Sequence, residues 1–416
     1  MFDDVERDVA SIRLPQWGRV VPAKGVVAWL VVDDDDVPVE PIRRYLTHFA
    51  AGDTSVGSVC SYAYALMRWW RWLRAVEVDW DKATPAEARD LVLWLKQAGK
   101  QRQRRPRSRS IATAGAVNPI TRKRNLGDHY EPATVRHSNA VVRAFYEYWI
   151  EDVGAGPLIN PVQLGRRGQR RYAHHNPLEP FGPEGKIRYN PKIPKRRVRE
   201  MPDERWREVF AQLRSNRDRA ILAIAISNGA RAGELLGIRG VDLDWGDQLV
   251  RVTRKGSRAQ QWLPASAEAF VWIRLYLADL GDPLQPNDPV WWTLRHRDRG
   301  AGPQRQPLNY DALRAVFRRV NKGLGTNYSM HDLRHTASLR MARDEHLSLK
   351  DVQVILGHAH LSTTADVYMI EDENTVIRRV RRHLNERQAR ADQPPIPVAT
   401  GYDAVDLEIL LGGGPS

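Results

Sequence analysis

"MHDLRHTASL", residues 330–339, sets His331, Arg334 and His335 at i, i+3 and i+4, which on a helix is a single face. The stretch nearly spells the H-E-x-x-H of a zinc helix, and whether it takes a metal or an anion decides what kind of domain surrounds it. Arg334 argues for the anion. A guanidinium beside two histidines repels a dication, and the base would be Asp332, one carbon shorter than the Glu of the zinc motif. The downstream histidines His346, His358 and His360 lie at the wrong distances for a third ligand. A phosphate fits better, with Arg334 as a bidentate clamp and histidine as a hydrogen-bonding or proton-transfer group.

Phosphoryl transfer also needs a nucleophile and a group to protonate the leaving oxygen. The chain supplies candidates in order: "ARAGELLGI" carries Arg231 and Glu234, "TRKGS" carries Lys255, and "LGHAHLSTTADVY" carries His358 and Tyr368. This ordered series resembles the tyrosine recombinase (phage integrase) family, whose catalytic domains carry an Arg, a hairpin Lys, H-x-x-R, a His or Trp, and a late Tyr nucleophile. The likeness spans residues 228–368. Upstream, "SYAYALMRWWRWL" and "TVRHSNAVVRAFYEYW" resemble the core-binding domain of the same family, over residues 40–165. The basic insertion and the long arginine-rich connection described below depart from the compact family pattern.

The resemblance implies a site-specific recombinase, either an integrase or the recombinase-type transposase of a mobile element. Tyr368 would attack the scissile phosphate, form a covalent 3′-phosphotyrosine and release a 5′-hydroxyl. Arg231 and Arg334 would grip the non-bridging oxygens, where preorganised donors act most strongly. Lys255, at a hairpin tip, would protonate the leaving oxygen, a role that Arg254 and Arg258 fill poorly because arginine holds its proton. His331 would help take the tyrosine proton and His358 would hydrogen-bond the phosphate. Glu234, one turn from Arg231, and His335 read as supports behind these groups. Double-stranded DNA sites are the implied partner, bound by four protomers that pass through a Holliday junction, with accessory DNA-bending or partner recombinase proteins. No cofactor and no metal is called for, since arginines, a lysine and histidines supply the positive charge and no glycine-rich phosphate loop is present. Two other readings stay open: a type IB topoisomerase using the same chemistry without strand exchange, and a non-catalytic architectural DNA-binding protein.

Composition agrees with a polyanion partner. A net charge of +14, mostly arginine, draws nucleic acid, although arginine-rich coding alone gives the same excess. A single cysteine, Cys60, excludes an internal disulfide framework and a cysteine-based zinc cluster and points to a reducing compartment. The opening residues do not read as a signal peptide and no apolar run reaches membrane length, so the cytoplasm is expected.

At 416 residues the chain is long enough for several domains. The expected class is mainly α with a small β-sheet, and the resemblance implies a helical DNA-binding domain and an α+β catalytic domain in a C-shaped clamp. Residues 1–39, with "GVVAWLVV" running into an acidic turn, read as an N-terminal arm or lid. Residues 40–165 read as a helical bundle: Tyr62, Leu66, Trp69 and Leu73 recur at helical spacing, and Thr84 and Pro85 open a helix that Gly99 stops. Within it, 100–110 is a basic insertion. Residues 166–199 read as a basic inter-domain linker, 200–386 as the catalytic domain, and 387–416 as a tail, with "YDAVDLEILL" a candidate for docking on a neighbouring protomer. "QLVRVTRKGSRAQQWLP" predicts two strands joined at Lys255-Gly256, and Asn228-Gly229 predicts a break between helices. The candidates for DNA contact are Arg68, Arg71, Arg102, Arg104, Arg105, Arg136, Arg143, Arg166, Arg167, Arg170 and Arg171.

Overall fold

The computed structural model describes residues 7–100, 113–165, 186–193, 200–298, 303–344 and 346–357. Arg102, Arg104, Arg105, Arg166, Arg167, Arg170, Arg171, His358, Tyr368 and the C-terminal tail lie outside the described residues. The chain divides into two units, Met1–Lys195 and Arg196–Ser416. It is mainly helical with small antiparallel sheets.

The first unit opens with a hairpin of β1 (Arg19–Pro22) and β2 (Trp29–Val32), then α1 (Glu40–Ala51), α2 (Val56–Ala75), α3 (Pro85–Gln97) and α4 (Pro132–Glu147). The helical spacing read in α2 is its buried stripe, with Leu66, Trp69 and Leu73 inside and Tyr62 half-buried. Trp69 Nε1 donates to Tyr146 Oη at 3.0 Å, and that hydroxyl donates to the Trp80 carbonyl at 2.7 Å, so the polar ends of two core aromatics are matched. Thr84 caps α3 as expected, and its backbone N–H donates to Glu87 at 2.7 Å.

Two expectations for this unit change. The segment read as an arm or lid contributes Leu14, Trp17, Val27 and Val31 to the same core as the helices. Arg71 of α2 holds it there, donating to the carbonyls of Trp17 at 2.6 Å and Gly18 at 2.8 Å. The stretch read as a linker also returns to the unit it was meant to leave. Gly165 N–H donates to the Lys186 carbonyl at 2.8 Å, Arg188 N–H to that of Gln163 at 2.9 Å, and Asn139 of α4 to the Asn190 side chain at 3.0 Å. Residues on either side of 166–185 are therefore paired to each other. The basic insertion is closed similarly at its base, where Lys100 N–H donates to the Asp128 carbonyl at 2.6 Å.

The second unit contains α5 (Asp203–Ala211), α6 (Asn216–Asn228), α7 (Ala232–Leu236), β3 (Leu243–Asp244), β4 (Leu249–Thr253), β5 (Gln260–Pro264) and α8 (Ala267–Leu280). The short β6 (Arg297–Asp298) and β7 (Pro303–Gln304) follow, then α9 (Tyr310–Leu324), α10 (Met330–Arg343) and α11 (Leu349–Leu356). Helix α6 is buried continuously from Ala220 to Ala225 and packs against α8 and α10. A helix apolar on every side belongs in the middle of a core, and this one forms it. Strands pair antiparallel in the order β3-β4-β5, with Val250 opposite Leu263 and Thr253 opposite Gln260, and the 254–259 turn carries Lys255 at the predicted position. The predicted break after α6 is Gly229, at φ +68°, which turns the chain toward Arg231.

Candidate active site

Four segments of the second unit converge: the α6–α7 turn, the β4–β5 hairpin, α10 and the end of α11. Arg231 immediately precedes α7, and both its backbone N–H and its guanidinium Nη1 donate to Glu234 at 2.8 Å. This is the one-turn support expected from the spacing. Glu234 is buried and takes a second guanidinium, Arg254 Nη1, at 3.1 Å. Burial alone would push the Glu234 carboxyl up, but the Arg231 hydrogen bonds and the charges of Arg231 and Arg254 outweigh it and hold the group below its ordinary range.

Arg334, on the buried side of α10, reaches two chain ends. Its Nη1 donates to the Gly229 carbonyl at 2.6 Å and its Nη2 to the Leu356 carbonyl at 2.8 Å. These carbonyls sit at the C-terminal ends of α6 and α11, where the helix dipole favours a cation. The bonds place Arg334 beside the turn that carries Arg231. His331, the exposed partner of the opening motif, and half-buried His335 have ring centroids 4.1 Å apart, edge to face. Asp332, the base of the discarded zinc reading, accepts both N–H (2.7 Å) and Oγ–H (2.6 Å) of Ser329 at the start of α10. Its carboxylate therefore serves the helix start.

Lys255 is exposed in the β4–β5 turn, with its backbone N–H 3.4 Å from Glu234 Oε1. The residue before it, Arg254, was passed over in the sequence as a poor acid, yet its side chain joins three segments of the site. It is 5% exposed and donates to Glu234, to Gln261 Oε1 at 2.8 Å and to the Ile355 carbonyl at 2.5 Å. Gln261 Nε2 in turn donates to the Val354 carbonyl at 3.0 Å. The signal for Arg254 was strand alternation: Val250, Val252 and Arg254 share one face, and the first two are buried. Gly357, at φ +63°, leaves room for this guanidinium, since a Cβ there would lie 2.8 Å from Arg254 Nε.

Of the described candidates for DNA contact, two are held within the first unit. Arg71 binds the Trp17 and Gly18 carbonyls, and Arg143 donates to the Val162 carbonyl at 2.8 Å and pairs with Glu147. Both guanidiniums are taken up by cohesion, because a half-buried arginine on a helix finds the nearest unmatched carbonyls. Arg68 is half-buried, donating to Ser138 Oγ at 2.8 Å and lying over the Tyr130 ring, while Arg136 is exposed.

A mainly helical unit that gathers two arginines, a hairpin lysine and an H-x-x-R helix around one buried carboxylate has the chemistry of phosphoryl transfer. Residues 204–374 match the model of the phage integrase family. That stretch is a domain of the phage integrase family, the tyrosine recombinases, whose members break and rejoin DNA. Transposase A from transposon Tn554 of Staphylococcus aureus is 21% identical over 376 residues, covering 86% of this chain and 95% of the relative. Tyrosine recombinase XerC of Myxococcus xanthus is 30% identical over 211 residues, covering 47% of this chain and 65% of the relative. Among solved structures, the Tn1549 transposon integrase in complex with circular intermediate DNA shares the fold with a TM-score of 0.51. It is 13% identical and covers 82% of this chain and 98% of that one. No helix among the described residues is long and apolar enough to cross a membrane.

Proposed function

We propose that the protein is a site-specific recombinase of the transposase or integrase kind, which cuts and rejoins DNA through a covalent bond to Tyr368. The observation that carries this reading is the convergence of Arg231, Arg334 and the Lys255 turn on Glu234 and the end of α11, from which the chain runs on to His358 and Tyr368. In the step proposed, the Tyr368 oxygen attacks phosphorus and the bond from phosphorus to the 5′-oxygen breaks. His331 assists removal of the tyrosine proton, and Lys255 gives a proton to the departing 5′-oxygen. Arg231 and Arg334 neutralise the charge that builds on the non-bridging oxygens. The phosphotyrosine conserves the bond for rejoining to a different 5′-hydroxyl, and exchange of two pairs of strands passes through a Holliday junction within an assembly of four protomers. His358 hydrogen-bonds the phosphate. The relative aligned along most of both units is a transposase, whereas the XerC alignment spans less than half of the chain, and this favours movement of a mobile element.

The test starts from DNA that becomes covalently attached to the protein in cells, sequenced to define the site. A nicked duplex of that sequence, incubated in EDTA, is expected to yield a protein–DNA adduct with the wild type and none with Tyr368→Phe. An adduct that survives Tyr368→Phe, or that EDTA abolishes, overturns the reading.

A further inference from the structure

We infer that Arg254 is a positioning residue that acts through its neighbour Lys255, an inference that rests on the cleavage reading above. Strand alternation turns Arg254 inward and Lys255 outward at the same hairpin end, so the buried side chain determines where the exposed one is presented. The turn between them and β5 is closed by its own backbone, with Arg254 N–H donating to the Ala259 carbonyl at 2.9 Å and Arg258 N–H to the Arg254 carbonyl at 3.1 Å. Gly256 and Arg258 both take positive φ, and among the described residues Lys255 itself makes only a long backbone contact to Glu234. What ties the turn to the rest of the site is the Arg254 fork. It binds Glu234 at 3.1 Å, Gln261 across the hairpin at 2.8 Å and the Ile355 carbonyl of α11 at 2.5 Å.

Those partners come from three different segments of the site. The carboxylate of Glu234 is the one that holds Arg231, and α11 is the helix whose next carbonyl holds Arg334. Arg254 therefore ties the hairpin bearing the acid to the frame that bears both phosphate-binding arginines. A lysine cannot reproduce this, because a single ammonium has no planar fork to span a carboxylate, an amide and a carbonyl. The small residue at 357 admits the guanidinium between the hairpin and α11.

The test compares cleavage of the nicked site with an ordinary phosphate and with a 5′-bridging phosphorothiolate, whose sulfur departs without a proton. Arg254→Gln and Arg254→Lys are each expected to slow adduct formation on ordinary DNA about 10- to 100-fold, part of the 10²–10⁴ that a placed general acid supplies. Both should return to near wild-type rates on the phosphorothiolate. Arg254→Gln combined with Lys255→Ala should be no slower than Lys255→Ala alone. Equal losses on the two substrates, multiplicative losses in the double variant, or no loss in either single variant overturns the inference while leaving the Tyr368 reading intact. Failure of the wild type to form a Tyr368 adduct removes both. Arg254→Lys retains a cation beside Glu234, so the comparison holds if Arg254→Gln folds poorly.

Discussion

Each unit buries a cluster of arginine and carboxylate, and the two clusters are built to different ends. In the first, Arg7 Nη2 meets Glu87 at 2.6 Å and Nη1 meets Asp90 at 3.1 Å, while Arg89 meets Asp90 at 2.8 Å. Two cations face two anions, and Glu87 also accepts from the Thr84 N–H and hydroxyl. In the second, among the described residues, Arg231 and Arg254 share Glu234 alone, so two cations face one anion. Arg231 uses one guanidinium nitrogen on that carboxylate, and its side chain keeps 32% of its surface exposed. A buried arginine–carboxylate contact therefore signals cohesion in the first case. In the second, surplus positive charge at an accessible guanidinium is what the proposed phosphate site calls for.

The two clusters differ most at the exposed arginine. Arg231→Ala is expected to reduce Tyr368 adduct formation by about 10²–10³, the effect of losing one preorganised donor to a developing anion. Arg7→Ala should leave the adduct rate of the folded protein within about threefold, because its contacts join Glu87 and Asp90 inside the first unit and act on that unit's stability. Comparable rate losses in the two variants would erase the distinction between the clusters.

The sequence made the second cluster partly legible and the first hardly at all. Arg231, Glu234, Lys255, His331 and Arg334 could be named because, in order along the chain, they resemble the catalytic series of the tyrosine recombinases, and because the Arg231–Glu234 and His331–Arg334 spacings are each one helical turn. The hairpin tip and the Gly229 break were readable from their local turn residues. Arg254 was legible in principle from the β4 alternation, but a charged residue is not placed in a core until its partners are known, and its partner Ile355 is 101 residues away. Arg71 and Arg143 show the converse. Helical periodicity puts them off the apolar stripe, yet carbonyls from Trp17 and Val162 arrive to accept their protons. The closure of the basic stretch by Gly165 and Lys186 is likewise a pairing between separated segments, which periodicity does not report.

A smaller effect separates the clusters through their carboxylates. Glu234→Gln leaves Arg231 and Arg254 adjacent without the charge that holds them, and is expected to cost about 3 kcal/mol, as breaking a buried pair does. Glu87→Gln leaves Arg7 with Asp90 and keeps an oxygen for Thr84, so about 1–2 kcal/mol is expected. Urea unfolding at neutral pH measures both. A larger loss for Glu87→Gln would mean that the charge-balanced cluster, not the site, carries more of the structure's polar cohesion.

The smallest expected difference is in acid. Burial works against ionisation of both Glu234 and Glu87. Arginine and backbone hydrogen bonds overcome it at Glu234, and the Thr84 and Arg7 hydrogen bonds with the Arg7 charge do so at Glu87, so both carboxyls lie below their ordinary range when folded. A depressed folded pKa adds stability that is fully present above the unfolded value, about 4.3 for Glu. That stability is lost as pH falls through the folded value. Urea midpoints should therefore stay level with respect to these groups from pH 7 to about 5 and decline below about 4.3. Glu234→Gln should flatten that decline for unfolding of the second unit, followed by Trp291, and Glu87→Gln for the first, followed by Trp72, both of which are buried. If either substitution leaves its own unit's acid slope unchanged, the carboxylate it removes is not the one whose ionisation stabilises that cluster.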